Sequence, residues 1–82
     1  MDPSDITDAL KRNGFVFTDV ETPDGTVRVT ARGPKLPADR GGERDTVVEA
    51  QRKGEVLERS SHHNRATAAR RYVELVEKYG GG

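Results

Sequence analysis

Thr22-Pro23-Asp24-Gly25 constrains this chain more than any other segment. Proline presets φ for the first inner position of a turn, and glycine accepts the positive φ that closes a bulged hairpin. Short runs rich in β-branched and aromatic residues flank it: Phe-Val-Phe-Thr-Asp-Val-Glu over 15–21 and Thr-Val-Arg-Val-Thr-Ala-Arg over 26–32. Together they predict an antiparallel hairpin whose register decides which side chains share a face. In the second run Val27, Val29 and Ala31 alternate with Thr26, Arg28, Thr30 and Arg32, so the first set should face the core. The first run leaves two alternatives: either Phe15 and Phe17 face inward, or Val16 and Val20 do.

The rest of the chain supplies partners for that hairpin. Asp2-Pro3-Ser4-Asp5 has the pattern of a helix start, with Ile6, Ala9 and Leu10 as an apolar stripe and Gly14 as the stop. Residues 46–51 and 55–59 read as a second hairpin around Lys53-Gly54. Asn64 can cap a final helix running to about Tyr79, with Ala68, Ala69, Tyr72, Val73, Leu75, Val76 and Tyr79 on its apolar side. The order predicts an α+β fold in two layers. Its four-stranded, mainly antiparallel sheet comes from two hairpins, with a short N-terminal helix and a longer C-terminal helix packed on one face. Residues 1–82 form a single small domain, with a flexible loop over 33–45 and a flexible tail over 80–82.

Only nineteen Ile, Leu, Val, Phe, Tyr and Met side chains are available to the core, and a chain this short buries about 60–65% of its potential surface. That excludes a deep catalytic cleft and a second core. It also predicts that Phe15 and Phe17 fill the core, as scarce large side chains usually do. If they lie outward beside Arg28 and Arg32 instead, the sheet becomes an aromatic and basic platform with the physics of single-strand nucleic-acid binding. An open sheet with apolar residues on both faces would equally suit a homodimer. The absence of cysteine removes disulfides and thiolate chemistry, and points to a reducing, cytoplasmic setting. No apolar run is long enough for a membrane helix, and no signal peptide is recognisable, so no membrane partner is expected.

The formal charge is zero, but its order along the chain is not random. Residues 1–27 are net −4, residues 28–44 net +3, residues 45–59 net −1 and residues 60–82 net +2. Arg28, Arg32, Lys35, Arg40 and Arg44 fall on the second strand and the long loop, and Arg65, Arg70 and Arg71 on the early final helix. Arginine suits phosphate because its planar fork donates two hydrogen bonds. The opposing interpretation is a solvated surface laced with ion pairs such as Arg71 with Glu74 or Glu74 with Lys78.

Ser60-Ser61-His62-His63-Asn64 is the most chemically capable run and falls at the junction between the last strand and the final helix. The two histidines lack a third metal ligand at a recognisable spacing, and no carboxylate is placed to orient a Ser–His pair. Capping, or contact with a phosphate backbone through His62, His63 and Arg65, fits the run better than catalysis or a metal site. Asp39-Arg40-Gly41-Gly42 lacks the Lys-Ser/Thr ending of a phosphate loop. The terminal Gly81-Gly82 resembles the exposed diglycine tail of ubiquitin-like modifier proteins, which can thread a narrow enzyme channel. In that family the tail leaves the last strand of a β-grasp fold, whereas here it follows a helix.

The expected function is therefore a small non-catalytic nucleic-acid-binding protein without metal or cofactor. Its expected surface is Arg28, Arg32, Lys35, Arg40, Arg44, His62, His63, Arg65, Arg70 and Arg71. The alternative is a protein–protein adaptor or inhibitor that binds through the long loop and the open sheet face.

Overall fold

The computed structural model describes residues 1–33 and 45–81. The elements are α1 (Pro3–Asn13), β1 (Phe15–Thr22), β2 (Gly25–Arg32), β3 (Thr46–Arg52), β4 (Glu55–His62) and α2 (Arg65–Tyr79). The strands pair antiparallel in the order β1-β2-β3-β4, and both helices pack on one face, giving the expected two-layer α+β arrangement. The expected loop falls almost entirely on residues 34–44, and the end of the tail on Gly82; both lie outside the described residues.

Each element ends where local chemistry stops it. Asp2 accepts the Ser4 amide at 2.9 Å, Pro3 occupies the first turn of α1, and Gly14 closes the helix at φ +71°. That φ lies in the left-handed region, where a Cβ would be strained. Thr22 pairs with Gly25 across the first turn, and Gly25 has φ +122°. Lys53 and Gly54 both have positive φ, at 51° and 82°, which suits the right-handed twist of a two-residue hairpin. Asn64 caps α2 by accepting the Thr67 amide at 2.7 Å. Strand β4 runs three residues beyond its expected end, because Ser60, Ser61 and His62 keep pairing with Val48, Val47 and Thr46. Polar residues are no obstacle there, since β4 is an edge strand with one side open to water.

The core joins Ile6 and Leu10 of α1, Val20 of β1, Val27, Val29 and Ala31 of β2, Val48 and Ala50 of β3, and Ala68, Ala69, Tyr72, Val73 and Leu75 of α2. The Tyr72 hydroxyl, held inside this layer, bonds to Thr18 of β1. Burial pushes the Tyr72 hydroxyl pKa up.

The choice left open in β1 falls to the valines. Val20 is buried and Val16 packs against the core, whereas Phe15 and Phe17 are 42% and 50% exposed on the other face. The expectation that the phenylalanines fill the core is thus corrected, and register explains it. Val20 pairs with Val27 and Val16 with Ala31, so alternation along β1 sends the odd-numbered residues away from the helices.

Candidate functional site

The arginines expected on one binding surface divide, where they are described, between two layers. Arg28 and Arg32 stand on the helix-free face of the sheet; Arg65, Arg70 and Arg71 belong to the helix on the other face. The expected continuous surface is therefore not formed by these five residues. Lys35, Arg40 and Arg44 lie outside the described residues.

On the open sheet face the register sets three rows of side chains across the four strands. Phe15 lies opposite Arg32, Phe17 opposite Thr30, and Asp19 opposite Arg28. The next pairings are Arg32 with Val47, Thr30 with Glu49 and Arg28 with Gln51. Beyond them Val47 meets Ser61, Glu49 meets Arg59 and Gln51 meets Val56. The Phe15 and Phe17 rings are 5.9 Å apart, and the Arg28 guanidinium sits 4.8 Å from the Phe17 ring centre. The aromatic and basic neighbourhood thus forms, but each arginine on it already faces a carboxylate. Arg28 donates to both oxygens of Asp19, at 2.7 and 3.1 Å. That fork holds the Asp19 carboxyl below the usual range and raises the Arg28 guanidinium. Arg32 and Arg59 flank Glu49 at 3.8 and 3.5 Å, and Gln51 donates to the same carboxylate at 2.7 Å. Glu49 is buried on this open side by these neighbours, so its charge is compensated where it stands.

Helix α2 presents its cations in two directions. Toward β4, Arg71, Lys78 and the Tyr79 hydroxyl converge on Glu58 at 2.8, 2.7 and 2.6 Å. Donation from Lys78 and then Tyr79 holds the Glu58 carboxyl below its ordinary range. The same bond raises Lys78, and the neighbouring carboxylate raises Tyr79. Arg71 also lies 3.9 Å from Glu74. Arg71 is thereby a structural residue, tying α2 to the sheet edge.

Toward α1 the cations are placed differently. Arg70 and Lys11 line one shallow groove between the helices, along with Asp2 and Asp8. Lys11, Arg12 and Arg65 line a second groove around Gly14 and Gly33, where Gly33 donates its amide to the Gly14 carbonyl at 2.8 Å. No carboxylate is among the described residues of that second groove. Lys11, Arg12, Arg65 and Arg70 form no ion pair among the described residues. Lys11 and Arg12 were not among the expected site residues, because their place near the C-terminal end of α1 is accounted for by the helix dipole alone. The signal available in the sequence was their adjacency just before a glycine stop, which puts both at the mouth of whatever follows the helix.

His62 and His63 make separate contacts. His62 shares a 2.8 Å hydrogen bond with Ser60, two residues back on the same strand face, while His63 pairs with Asp45 at 2.9 Å. Among the described residues, no group of three or more His, Cys, Asp or Glu side chains is gathered around a common point for a metal ion. No described helix is long and apolar enough to cross a membrane. Gly80 and Gly81 follow α2 rather than a strand, so the likeness to modifier proteins does not extend past the glycines. No protein-family model matches the chain, and no curated protein or solved structure is significantly similar to it.

Proposed function

We propose that this protein is a small non-catalytic nucleic-acid-binding domain that holds a phosphate backbone on its helical layer. Contact falls at the groove between the C-terminal end of α1 and the start of α2. The observation that supports this is the gathering of Lys11, Arg12 and Arg65 around one groove with no carboxylate among its described residues. Arg70 stands further along α2, in the groove that it and Lys11 share with Asp2 and Asp8. Phosphate binding depends on cations that can exchange water and counterions for the ligand, and a cation already held by a carboxylate gives up a partner first. On that criterion Arg28, Arg32 and Arg71 are poor phosphate contacts, whereas Arg65 and Arg70 remain good ones. Protein-adaptor function is the second reading, favoured by one feature that phosphate binding leaves unused: the exposed Phe15 and Phe17.

Fluorescence anisotropy with single- and double-stranded DNA and RNA, repeated across salt concentrations, tests the proposal. Three to four phosphate contacts give log K against log salt a slope of about −3 on duplex, so affinity falls about 40- to 150-fold between about 50 and 200 mM salt. The pair Arg12→Ala and Arg65→Ala lowers the slope by about 2, while Arg28→Ala leaves it unchanged. Absence of binding at low salt, or a double variant that binds like the parent, sinks the proposal.

A further inference from the structure

We infer that the open sheet face is a self-association surface. Two copies of this chain pack face to face there, about a two-fold axis running along the strands. This goes beyond nucleic-acid binding, which uses the other layer. A chain with only two phenylalanines has placed both on that face, side by side and half exposed. Val56, 47% exposed, stands on the same face at the opposite edge strand. Exposed aromatics beside arginine are the residue types that interface centres favour.

Charge decides the occupant. On this face β1 carries Asp19 and Glu21, β2 carries Arg28 and Arg32, β3 carries Glu49, and β4 carries Arg59. The strands thus alternate acidic, basic, acidic, basic across the sheet, with three charges of each sign. An isologous dimer needs a patch that complements itself. An in-plane axis along the strands lays β1 over β4 of the second copy and β2 over β3, so every acidic strand meets a basic one. An axis across the strands would lay β1 over β1 and β2 over β2, matching like with like. Of these two axes, the first is the one that sets acidic strands on basic ones. Each row stays level with itself across that axis, so Phe17 lies opposite Arg59 of the second copy, Asp19 opposite Val56 and Thr30 opposite Glu49, and Asp19 and Arg59 stand one row apart, about 7 Å along the strands. The zero net charge of the whole chain means that two copies do not repel at long range.

Nucleic acid fits the face less well. The Arg28 guanidinium already covers Phe17, and every arginine there lies within reach of a carboxylate, Arg28 of Asp19 and both Arg32 and Arg59 of Glu49. The extent of the face sets the strength. Strands of seven or eight residues at about 3.4 Å per residue, four abreast at about 4.8 Å, give a footprint of about 500 Å² per copy. Two such faces bury about 1,000 Å² in total, at the lower limit for a specific interface, so a weak dimer with Kd on the order of tens of micromolar is expected.

Sedimentation velocity of the full chain from about 1 to 500 µM tests this, with circular dichroism confirming that each variant is folded. The parent passes from monomer to dimer across that range. Phe17→Asp raises Kd by about 100-fold, because it buries a charge against a face built for an aromatic. Arg59→Ala raises it by about fivefold, and in a Phe17→Leu background the same change has less than about a twofold effect, because Phe17 and Arg59 lie opposite each other across the axis. Arg65→Ala, on the helical layer, leaves it unchanged. A parent that stays monomeric throughout overturns the dimer, as does a dimer indifferent to Phe17→Asp. Effects of Phe17→Leu and Arg59→Ala that simply add overturn the strand-parallel axis.

Discussion

Replacing Phe17 by threonine measures what the outward register means for stability. Full burial of a phenylalanine contributes about 2–3 kcal/mol, and Phe17 is half exposed, so its packing in the monomer is worth about 1–1.5 kcal/mol. The Arg28 guanidinium over its ring adds about 0.5 kcal/mol at an exposed site, and the high strand propensity of threonine returns part of the loss. The expected cost is about 1.5 kcal/mol. Leu75 is smaller but only 1% exposed, and Leu75→Ala should cost about 3 kcal/mol through lost transfer energy and the cavity left behind. Urea unfolding followed by circular dichroism makes the comparison, at about 1 µM protein so that self-association contributes nothing. With an m value of about 1 kcal/mol/M, the midpoint drops by about 1.5 M for Phe17→Thr and about 3 M for Leu75→Ala. The larger side chain should therefore be the cheaper to remove. A Phe17→Thr variant that loses as much as Leu75→Ala would refute the assignment of faces in β1.

Glu58 and the helix cap supply two further tests. The Glu58 carboxyl is held below its ordinary value of 4.5, so its stabilisation is complete above that pH and disappears as pH falls through the lower folded value. Glu58→Gln should cost about 1–3 kcal/mol at pH 7, by weakening charge-assisted bonds from Arg71 and Lys78. In thermal melts from pH 7 to pH 3, the gap between parent and variant should narrow on the acid side; a constant gap would refute the ionic account. Asn64→Ala removes the side-chain acceptor of the Thr67 amide and should cost about 1 kcal/mol, while Asn64→Asp restores most of it. Equal stability of the parent and the alanine variant in urea would show that the cap does not hold the start of α2.

The framework was legible because its signals are local. Proline then aspartate then glycine makes a turn, Asp2 and Asn64 cap helices, and Gly14 stops one, whatever the rest of the chain does. The face of β1 was not legible, because it carries apolar side chains on both sides and only pairing with β2 chooses between them. Scarcity argued for burying the phenylalanines, but register prevailed: Val16 and Val20 stand opposite the unambiguous inward set of β2. For the candidate site, the helical cations Arg65 and Arg70 could be named from sequence. Their association with Lys11 and Arg12 could not, because it arises from α1 and α2 lying side by side.

Charge order misled for a related reason. The chain is acidic through residue 27 and basic from residue 28 to 44, and along a line those blocks look like separate patches. An antiparallel hairpin folds that line back on itself. The turn at residues 22–25 lies almost at the boundary between the blocks, so acidic β1 is laid against basic β2 and Asp19 meets Arg28. The second hairpin repeats the effect, setting Glu49 of β3 beside Arg59 of β4 and within reach of Arg32 of β2. Segregation in sequence thus becomes alternation in space on the sheet, which suits a self-complementary interface and neutralises a phosphate-binding one. Helices do not fold charge back in this way. Lys11 and Arg12 near the end of α1 and Arg65 at the start of α2 belong to elements far apart in sequence, brought together by packing with no acidic strand between them. Positive charge with no ion-pair partner among the described residues therefore gathers at this groove of the helical layer, and the two layers of this small domain offer chemically different surfaces.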